Sequence, residues 1–305
     1  MTVPVIPFAE AEARMSWHAL TVALVAGHAL PKATLDDTFL YRGDDTLLSR
    51  SAWISGLGIA VKSATIFPGN KAAGLGTVNG GVSLYADTDG LLQAIIDFHL
   101  VTKWKTAGDS LLGALKLARP ESRTILIVGA GAVGRSLREA YGAGFPDARF
   151  IVWNRSPAGA EALAADYPDT QAVTDLPAAV AQADIVTCAT MSTEPLLKGD
   201  WLRPGQHIDL IGAYRPDMRE ADDAVMQRGR IFVDSRDTTL GHIGELKTPL
   251  ADGVITPDDI VADYYDLGSG RFARGADDEI TVFKNGGGAH LDLMTSRYIL
   301  DAWTA

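Results

Sequence analysis

The spacing of apolar side chains changes period several times along the chain, and each change marks an element. Residues 9–30 carry apolar positions at helical spacing and predict one opening helix that stops near Pro31. Residues 57–67, LGIAVKSATIF, alternate with period two and predict a strand. Ile59, Val61, Ser63 and Thr65 share one face, and Ala60, Lys62, Ala64 and Ile66 the other. Residues 83–85 and 91–97 predict two further strands, joined through Asp87-Thr88-Asp89-Gly90, a hairpin-turn composition. Helical spacing returns over residues 101–117, with Trp104, Ala107, Leu111, Leu112 and Leu115 on the inner side. Lys103 and Lys105 flank Trp104 and are expected off its face. Pro120 closes this segment.

A different rhythm begins at residue 124. TILIV at 124–128 is apolar and β-branched without alternation, as a parallel strand covered on both faces requires. A helix through Val133, Leu137, Ala140 and Tyr141 follows, and then a second strand over residues 150–153. The alternation continues with a helix at 158–167, a short helix capped by Asp175, a strand at 184–190, and a polar loop at 191–194. Strands at 207–212, 230–234 and 280–284 come next, with a helix through Met226 between the first two. Gly286-Gly287-Gly288 leads into a terminal helix at 291–303. The pattern predicts an α/β protein in which a Rossmann domain begins after Pro120, and the terminal helix follows its sheet without needing to belong to it.

Between the strand at 124–128 and its helix stand Gly129, Gly131 and Gly134, in the spacing G-x-G-x-x-G. The first permits a tight turn, the second lets a pyrophosphate approach the backbone, and the third lets helix and strand pack closely. Ala132 and Val133 open the helix, whose N-terminal amides would face the phosphates. The second strand ends in Asn154, Arg155 and Ser156, where an NAD site usually carries a carboxylate for the ribose 2′-hydroxyl. A guanidinium flanked by hydrogen-bonding side chains suits a 2′-phosphate, so NADPH/NADP is the expected cofactor and NAD the alternative. A plainer role stays open, because Ser156-Pro157 is also an ordinary N-cap and first helical residue. Thr190, Met191 and Ser192, at the carboxyl end of a strand, are expected to border the ribose or nicotinamide.

Composition narrows the possibilities. The 305 residues are 47% hydrophobic, enough for two cores. Lysine and arginine number 27 against 38 aspartate and glutamate, a net charge of −11 and the wrong sign for a nucleic-acid partner. The single cysteine, Cys188, lies in an apolar strand and fits a reducing cytoplasm. No apolar stretch is long enough to predict a membrane span, and no histidine and carboxylate spacing predicts a metal site. Lys62 is the unusual charge. A mid-strand lysine between alanines either snorkels to water from an edge strand or meets an anion.

Taken together, VGAGAVG at 128–134, VWNRS at 152–156, ATMSTEPLL at 189–197, RPGQHIDLIGAYRPDMREADD at 203–223, VDS at 233–235 and TVFKNGGGAHLD at 281–292 resemble the ornithine cyclodeaminase and mu-crystallin family over most of the chain. DFHLVTKWKTAGDS at 97–110 is similar to that family's T-x-x-R-T-A-A-x-S helix, with Lys105 in place of the arginine and Asp109 at a position that is normally small. The resemblance implies a homodimer. It also implies a Rossmann domain at 119–288 inserted into an α/β dimerisation domain of residues 1–118 completed by the C-terminal helix at 289–305, and a small imino or amino acid substrate in the cleft, its carboxylate held by basic residues of the first domain. By the same resemblance the substrate-binding residues are Arg42, with Arg50 as fallback, Lys62 and Lys105, and Lys62 is also catalytic.

Cyclodeaminases of this family carry an aspartate where this chain has Tyr214. The Arg215-Pro216-Asp217 version is similar to the mu-crystallin branch, which reduces cyclic ketimines. The function so implied is NADPH-dependent reduction of Δ1-pyrroline-2-carboxylate or Δ1-piperideine-2-carboxylate. Ornithine cyclisation, oxidation of an alanine-type amino acid, and low-turnover ligand binding are the alternatives.

Overall fold

The computed structural model describes residues 3–305. The chain forms two compact units, Met1–Lys105 with Gly287–Ala305, and Thr106–Gly286. In chain order the first unit contains β1 (Val5–Ile6), α1 (Phe8–Glu12), α2 (Trp17–His28), β2 (Thr34–Arg42), β3 (Asp45–Ile54), β4 (Gly58–Ile66), β5 (Val78–Tyr85) and β6 (Leu92–Asp97). Helix α3 (Phe98–Leu117) leads on to β7 (Thr124–Val128), α4 (Ala132–Gly144), β8 (Arg149–Trp153), α5 (Pro157–Ala164), β9 (Thr170–Val173), α6 (Leu176–Gln182), β10 (Ile185–Cys188) and β11 (His207–Leu210). Then come α7 (Asp223–Arg228), β12 (Arg230–Val233), α8 (Arg236–Thr239), α9 (Gly244–Ala251), β13 (Ile260–Ala262) and β14 (Thr281–Lys284), and the chain returns to the first unit in α10 (Ala289–Thr304).

The sheet of the first unit runs in the order β1-β6-β5-β4-β3-β2, antiparallel except where β1 meets β6. Strand β4 lies inside it, so Lys62 is not an edge-strand lysine. Its side chain is buried, on the face it shares with buried Ala60 and Ala64. Strands β2 and β3 escape the hydrophobic pattern because β2 is exposed along almost its whole length, leaving its sequence no inward face to record. The signal that does survive is Gly43-Asp44, a two-residue hairpin turn in which Gly43 takes φ of 58°.

The expected single opening helix is two helices. Ser16 breaks it: its hydroxyl accepts the Ala19 amide at 3.4 Å, and its own amide donates to the Tyr298 hydroxyl of α10 at 2.6 Å. Leu115, expected inside, is largely exposed, whereas Lys105 is buried along with Trp104.

The sheet of the second unit has eight parallel strands in the order β13-β12-β14-β11-β10-β7-β8-β9. Chain order reverses direction between β7 and β10, which makes their carboxyl ends the switch point of a doubly wound sheet. Leu126, Val128, Val186, Cys188, Ile208, Leu210 and Val282 are buried in its core. Strand β9 is only partly buried, so it lacks the continuous apolar run that reveals its neighbours, and β13 is just three residues long.

The division between units also falls earlier than expected, at residues 105/106 rather than 118/119. The later turns of α3 belong with the second unit because their side chains are committed there. Gly113 lies so close to Phe283 that a Cβ would stand 2.7 Å from the ring, and Ser110 donates to Asp209 at 3.0 Å. Asp209 is fully buried and also accepts from Thr187 at 2.6 Å and Tyr141 at 3.0 Å, so β10, β11, α3 and α4 meet on one carboxylate. Among the described residues no helix is long and apolar enough to cross a membrane.

Loss of a hydrogen bond to a charged group costs about 1.5–3 kcal/mol. Tyr141→Phe is therefore expected to lower the free energy of urea unfolding by that amount, and an unchanged unfolding midpoint would show that Asp209 does not depend on the phenol.

Candidate functional site

Within the second unit, a cavity of about 330 Å³ opens at the switch point, between the turn after β7, the end of β8 and the loop after β10. Gly129, with φ of 110°, donates its amide to the Trp153 carbonyl at 2.8 Å, and a Cβ there would stand 2.6 Å from the Ala189 carbonyl oxygen. At Gly134 a Cβ would collide with the Gly129 carbonyl, so the third glycine keeps α4 against the turn. Gly131 differs: a Cβ would meet nothing within 4 Å, and the residue lines the cavity. A side chain there would occupy the approach to the α4 amides, whose N-cap residue is this same glycine and makes no side-chain cap. Ala132 and Val133, the first two helical residues, put nothing larger at that entrance. This is the geometry that a pyrophosphate needs.

The remaining cofactor candidates divide by task. Asn154 accepts the Ala130 amide at 3.1 Å and donates to the Ser156 carbonyl at 2.9 Å, tying the end of β8 to the glycine turn. Arg155 lines the cavity, is exposed, and pairs with no carboxylate among the described residues. Ser156 stands at the N-cap of α5, yet its hydroxyl makes no cap hydrogen bond. Thr190, Met191 and Ser192 line the cavity from β10's side. Thr190 donates through its amide and hydroxyl to Glu220 at 2.6 and 2.8 Å, and Ser192 donates to the Glu194 carbonyl at 2.6 Å.

The first unit contains a buried cluster of charges. Lys62 donates to Asp292 of α10 at 2.9 Å, and its ammonium lies 4.7 Å from the centre of the Phe98 ring. Lys105 is 3.9 Å from the same Asp292 oxygen and donates to the Gly287 carbonyl at 2.9 Å. Register places Arg50 of β3 directly opposite Lys62 of β4, and Arg50 also donates to the Gly287 carbonyl, at 3.1 Å. Arg42 does not join them. It sits at the far end of the β2–β3 hairpin, mostly exposed, in an ion pair with Asp45 at 3.0 Å. Strand pairing places Arg50, and not Arg42, beside Lys62.

Asp292 and Gly287 are members that periodicity did not reveal. An aspartate near the start of a helix reads as a cap, and only the packing of α10 on β4 turns it inward. Asp109, also fully buried, lies in the second unit, where its carbonyl accepts the Tyr264 hydroxyl at 2.7 Å.

Electrostatics follow from burial. Burial pulls the Lys62 ammonium down to about 8, against the opposing pull of Asp292, with Lys105 and Arg50 pressing the same way as burial. Burial alone would raise Asp292, but Lys105, Lys62 and Arg50 together hold it below the usual carboxylate range. Burial likewise keeps His290, 5.3 Å from His28, neutral by pushing it well below its ordinary value. Three cations thus face buried Asp292, whose second oxygen makes no hydrogen bond among the described residues, while Arg50 is also held by Asp37 of β2 in an ion pair at 3.1 Å. The cluster retains positive charge to offer a ligand anion.

The profile of the ornithine cyclodeaminase/mu-crystallin family matches residues 54–305. The chain is 54% identical over 300 residues to Delta(1)-pyrroline-2-carboxylate reductase of Paracoccus denitrificans, covering 96% of this chain and 95% of that protein. It is 32% identical over 248 residues to ketimine reductase mu-crystallin of Mus musculus, covering 81% and 77% respectively. Among solved structures, Delta(1)-pyrroline-2-carboxylate reductase of Thermococcus litoralis, in complex with NADH and L-proline, superposes with a TM-score of 0.89 at 24% identity, covering 98% of this chain and 97% of that one.

Reductive methylation of the protein across a pH series, followed by mass spectrometry of the peptide containing Lys62, is expected to show its amine titrating near 8. Asp292→Asn should move that midpoint lower, since the lost carboxylate favours the charged amine. A midpoint that stays in place would mean the pair is not coupled.

Proposed function

The chain belongs to the ornithine cyclodeaminase/mu-crystallin family, and on that premise we propose that this NAD(P)-dependent oxidoreductase of C=N bonds reduces a small cyclic imino acid with NADPH. The substrates proposed are Δ1-pyrroline-2-carboxylate and Δ1-piperideine-2-carboxylate, and the products L-proline and L-pipecolate. The observation that carries the reading is the buried Lys62–Asp292 pair with Arg50 and Lys105 beside it, a concentration of cations inside the first unit that suits a carboxylate ligand.

Each residue then has a task. Arg50, Lys62 and Lys105 hold the substrate carboxylate, and Asp292 aligns Lys62. The glycine turn with Ala132 and Val133 takes the pyrophosphate, and Thr190, Met191 and Ser192 border the nicotinamide end. The bound cofactor supplies the hydride. Reduction of C=N to CH–NH also consumes one proton. Lys62, ammonium at neutral pH and titrating near 8, is the donor we assign; Arg50 remains charged and serves the carboxylate alone. Cyclodeamination is less well served by these residues. The position that a cyclodeaminase fills with aspartate is the exposed phenol Tyr214, and nearby Asp217 is held by Arg215 through two hydrogen bonds of 2.9 Å.

Preference for NADPH is supported by Arg155, Asn154 and Ser156: an unpaired guanidinium at the cavity and a hydroxyl not spent on capping α5. A homodimer is proposed as well, with the exposed apolar side chains of Phe39, Leu40 and Tyr41 on edge strand β2 as its contact. Buried Cys188, the single cysteine, fits a cytoplasmic location.

The reading is tested by loss of NADPH absorbance with each cyclic imine, beside NAD+ reduction with alanine and ornithine. Truncating a buried charged partner costs about 2–5 kcal/mol, so Lys62→Met and Arg50→Ala are each expected to lower kcat/KM by about 10²- to 10³-fold, and Arg42→Ala by less than about threefold. Activity should fall as pH rises through about 8, where Lys62 loses its proton. Lys62→Met reducing imine at the parent rate would remove Lys62 from the scheme.

For the cofactor, Arg155→Ala is expected to weaken NADPH binding about 10- to 100-fold while leaving NADH within about twofold, the loss of a charge-assisted contact to the 2′-phosphate. Equal losses for both cofactors would contradict the assignment.

A further inference from the structure

Behind the cofactor cavity, two glutamates are buried back to back in the second unit, and the scheme above uses neither. Glu220 is fully buried, and its two carboxylate oxygens serve two different strand ends. One accepts the amide and hydroxyl of Thr190, just past β10, at 2.6 and 2.8 Å; the other accepts the amide of Gly212, just past β11, at 2.6 Å. The clasp is tight enough that Gly212 could carry no side chain: a Cβ would collide with the Thr190 backbone and stand 2.5 Å from Glu220. Glu245 of α9 backs it, accepting the amides of Glu220 and Ala221 at 2.7 and 3.0 Å. Thr190 in turn is in the cavity wall, and its methyl group lies 3.3 Å from where a Gly129 side chain would begin.

We propose that Glu220 is a positioning residue of the dinucleotide site, its ionised carboxylate fixing the loop at 189–192 against the glycine turn, so that a proton taken up by the Glu220–Glu245 pair weakens dinucleotide binding. The inference rests on reading that cavity as the cofactor site.

The charge balance makes this a neutral-range event. Burial, then the neighbouring Glu245, raises Glu220 to about 7, against the opposing pull of Lys284, and burial raises Glu245 as well. The charged and titratable groups facing the pair are Lys284 of β14, whose ammonium donates to the Leu210 and Asn285 carbonyls, Cys188 of β10, and Arg219 of the loop before α7. Burial and Glu220 hold the Cys188 thiol far above neutrality, so it stays protonated throughout.

A protonated Glu220 cannot satisfy the three donors of Thr190 and Gly212 as acceptor alone, so one contact of the clasp is lost as pH falls. Stability runs the opposite way. Because the folded value lies above the ordinary one, the folded chain binds the extra proton between about 4.5 and 7, and the pair's contribution to stability declines as pH rises through that window.

The test is direct binding to the full-length protein, measured by isothermal titration calorimetry with NADH from pH 5.5 to 8.5. NADH lacks the 2′-phosphate and its own titration in this range. The parent is expected to bind NADH several-fold more weakly at pH 6 than at pH 8, with a midpoint near 7, while Tm of the ligand-free protein rises as pH falls. Glu220→Gln places an amide donor against the Thr190 or Gly212 amide. It should bind about tenfold more weakly at pH 8 and show no dependence through pH 7.

Glu245→Gln loses one of its own contacts, to the Glu220 or Ala221 amide, but leaves the Glu220 contacts to Thr190 and Gly212 and removes the neighbouring charge, so it should move the midpoint to lower pH; this variant decides the matter if Glu220→Gln does not fold. Glu220→Gln binding as the parent does, or a Glu245→Gln midpoint that stays near 7, would overturn the proposal. If the parent itself binds neither NADH nor NADPH, it is the cofactor reading that fails.

Discussion

An ammonium cannot stay charged inside a protein without a partner, and in this chain the partner of Lys62 comes from 230 residues further on. That requirement accounts for the shape of the first unit. Its sheet is finished before residue 98, yet the anion that Lys62 needs is on α10, so the chain must return after the whole second unit has been threaded. Gly287, with φ of 66°, is the hinge of that return, and its carbonyl accepts from both Arg50 and Lys105. Asp292 and that carbonyl thus organise Lys62 and Lys105, while Arg50 shares the carbonyl and pairs with Asp37. The positive charge left over is what the proposed carboxylate site rests on.

The second unit meets a different constraint in a similar way. Its ligand would be anionic too, but backbone amides at the end of a helix provide the main attraction, and side-chain charge adds selectivity at one end. Amides are useful only if the turn carrying them is held, and the glycines alone do not hold it. The turn leans on Ala189 and Thr190, Thr190 leans on Glu220, and Glu220 leans on α9 through Glu245. Burying two carboxylates for this purpose is costly, and the cost appears as their raised affinity for protons.

Relatives of this chain include reductases and proteins named for deamination, all on one architecture. In this chain Tyr214 stands in the loop after β11, and the end of β8 presents Arg155 rather than an acidic residue. Both lie in loops beyond strand ends, where side chains can vary without altering the core.

Much of this was legible in the sequence for a physical reason: parallel strands buried on both faces must be continuously apolar, and a glycine turn at the end of one has few structural uses. The run at 124–134, the alternation after it and the inward face of β4 are therefore local facts, written in residues that lie next to each other. What the sequence could not state is which distant charges meet. Along the chain the resemblance puts Arg42 ahead of Arg50, and only the β3–β4 register brings Arg50 opposite Lys62 while leaving Arg42 at the hairpin's far end. Asp292 near the start of a helix is equally a cap or a site residue, and nothing local singles out Glu220, until the packing of α10 and α9 buries them. A helix or strand is decided by neighbours a few residues apart; the partner of a buried charge is decided by packing, which no local pattern encodes.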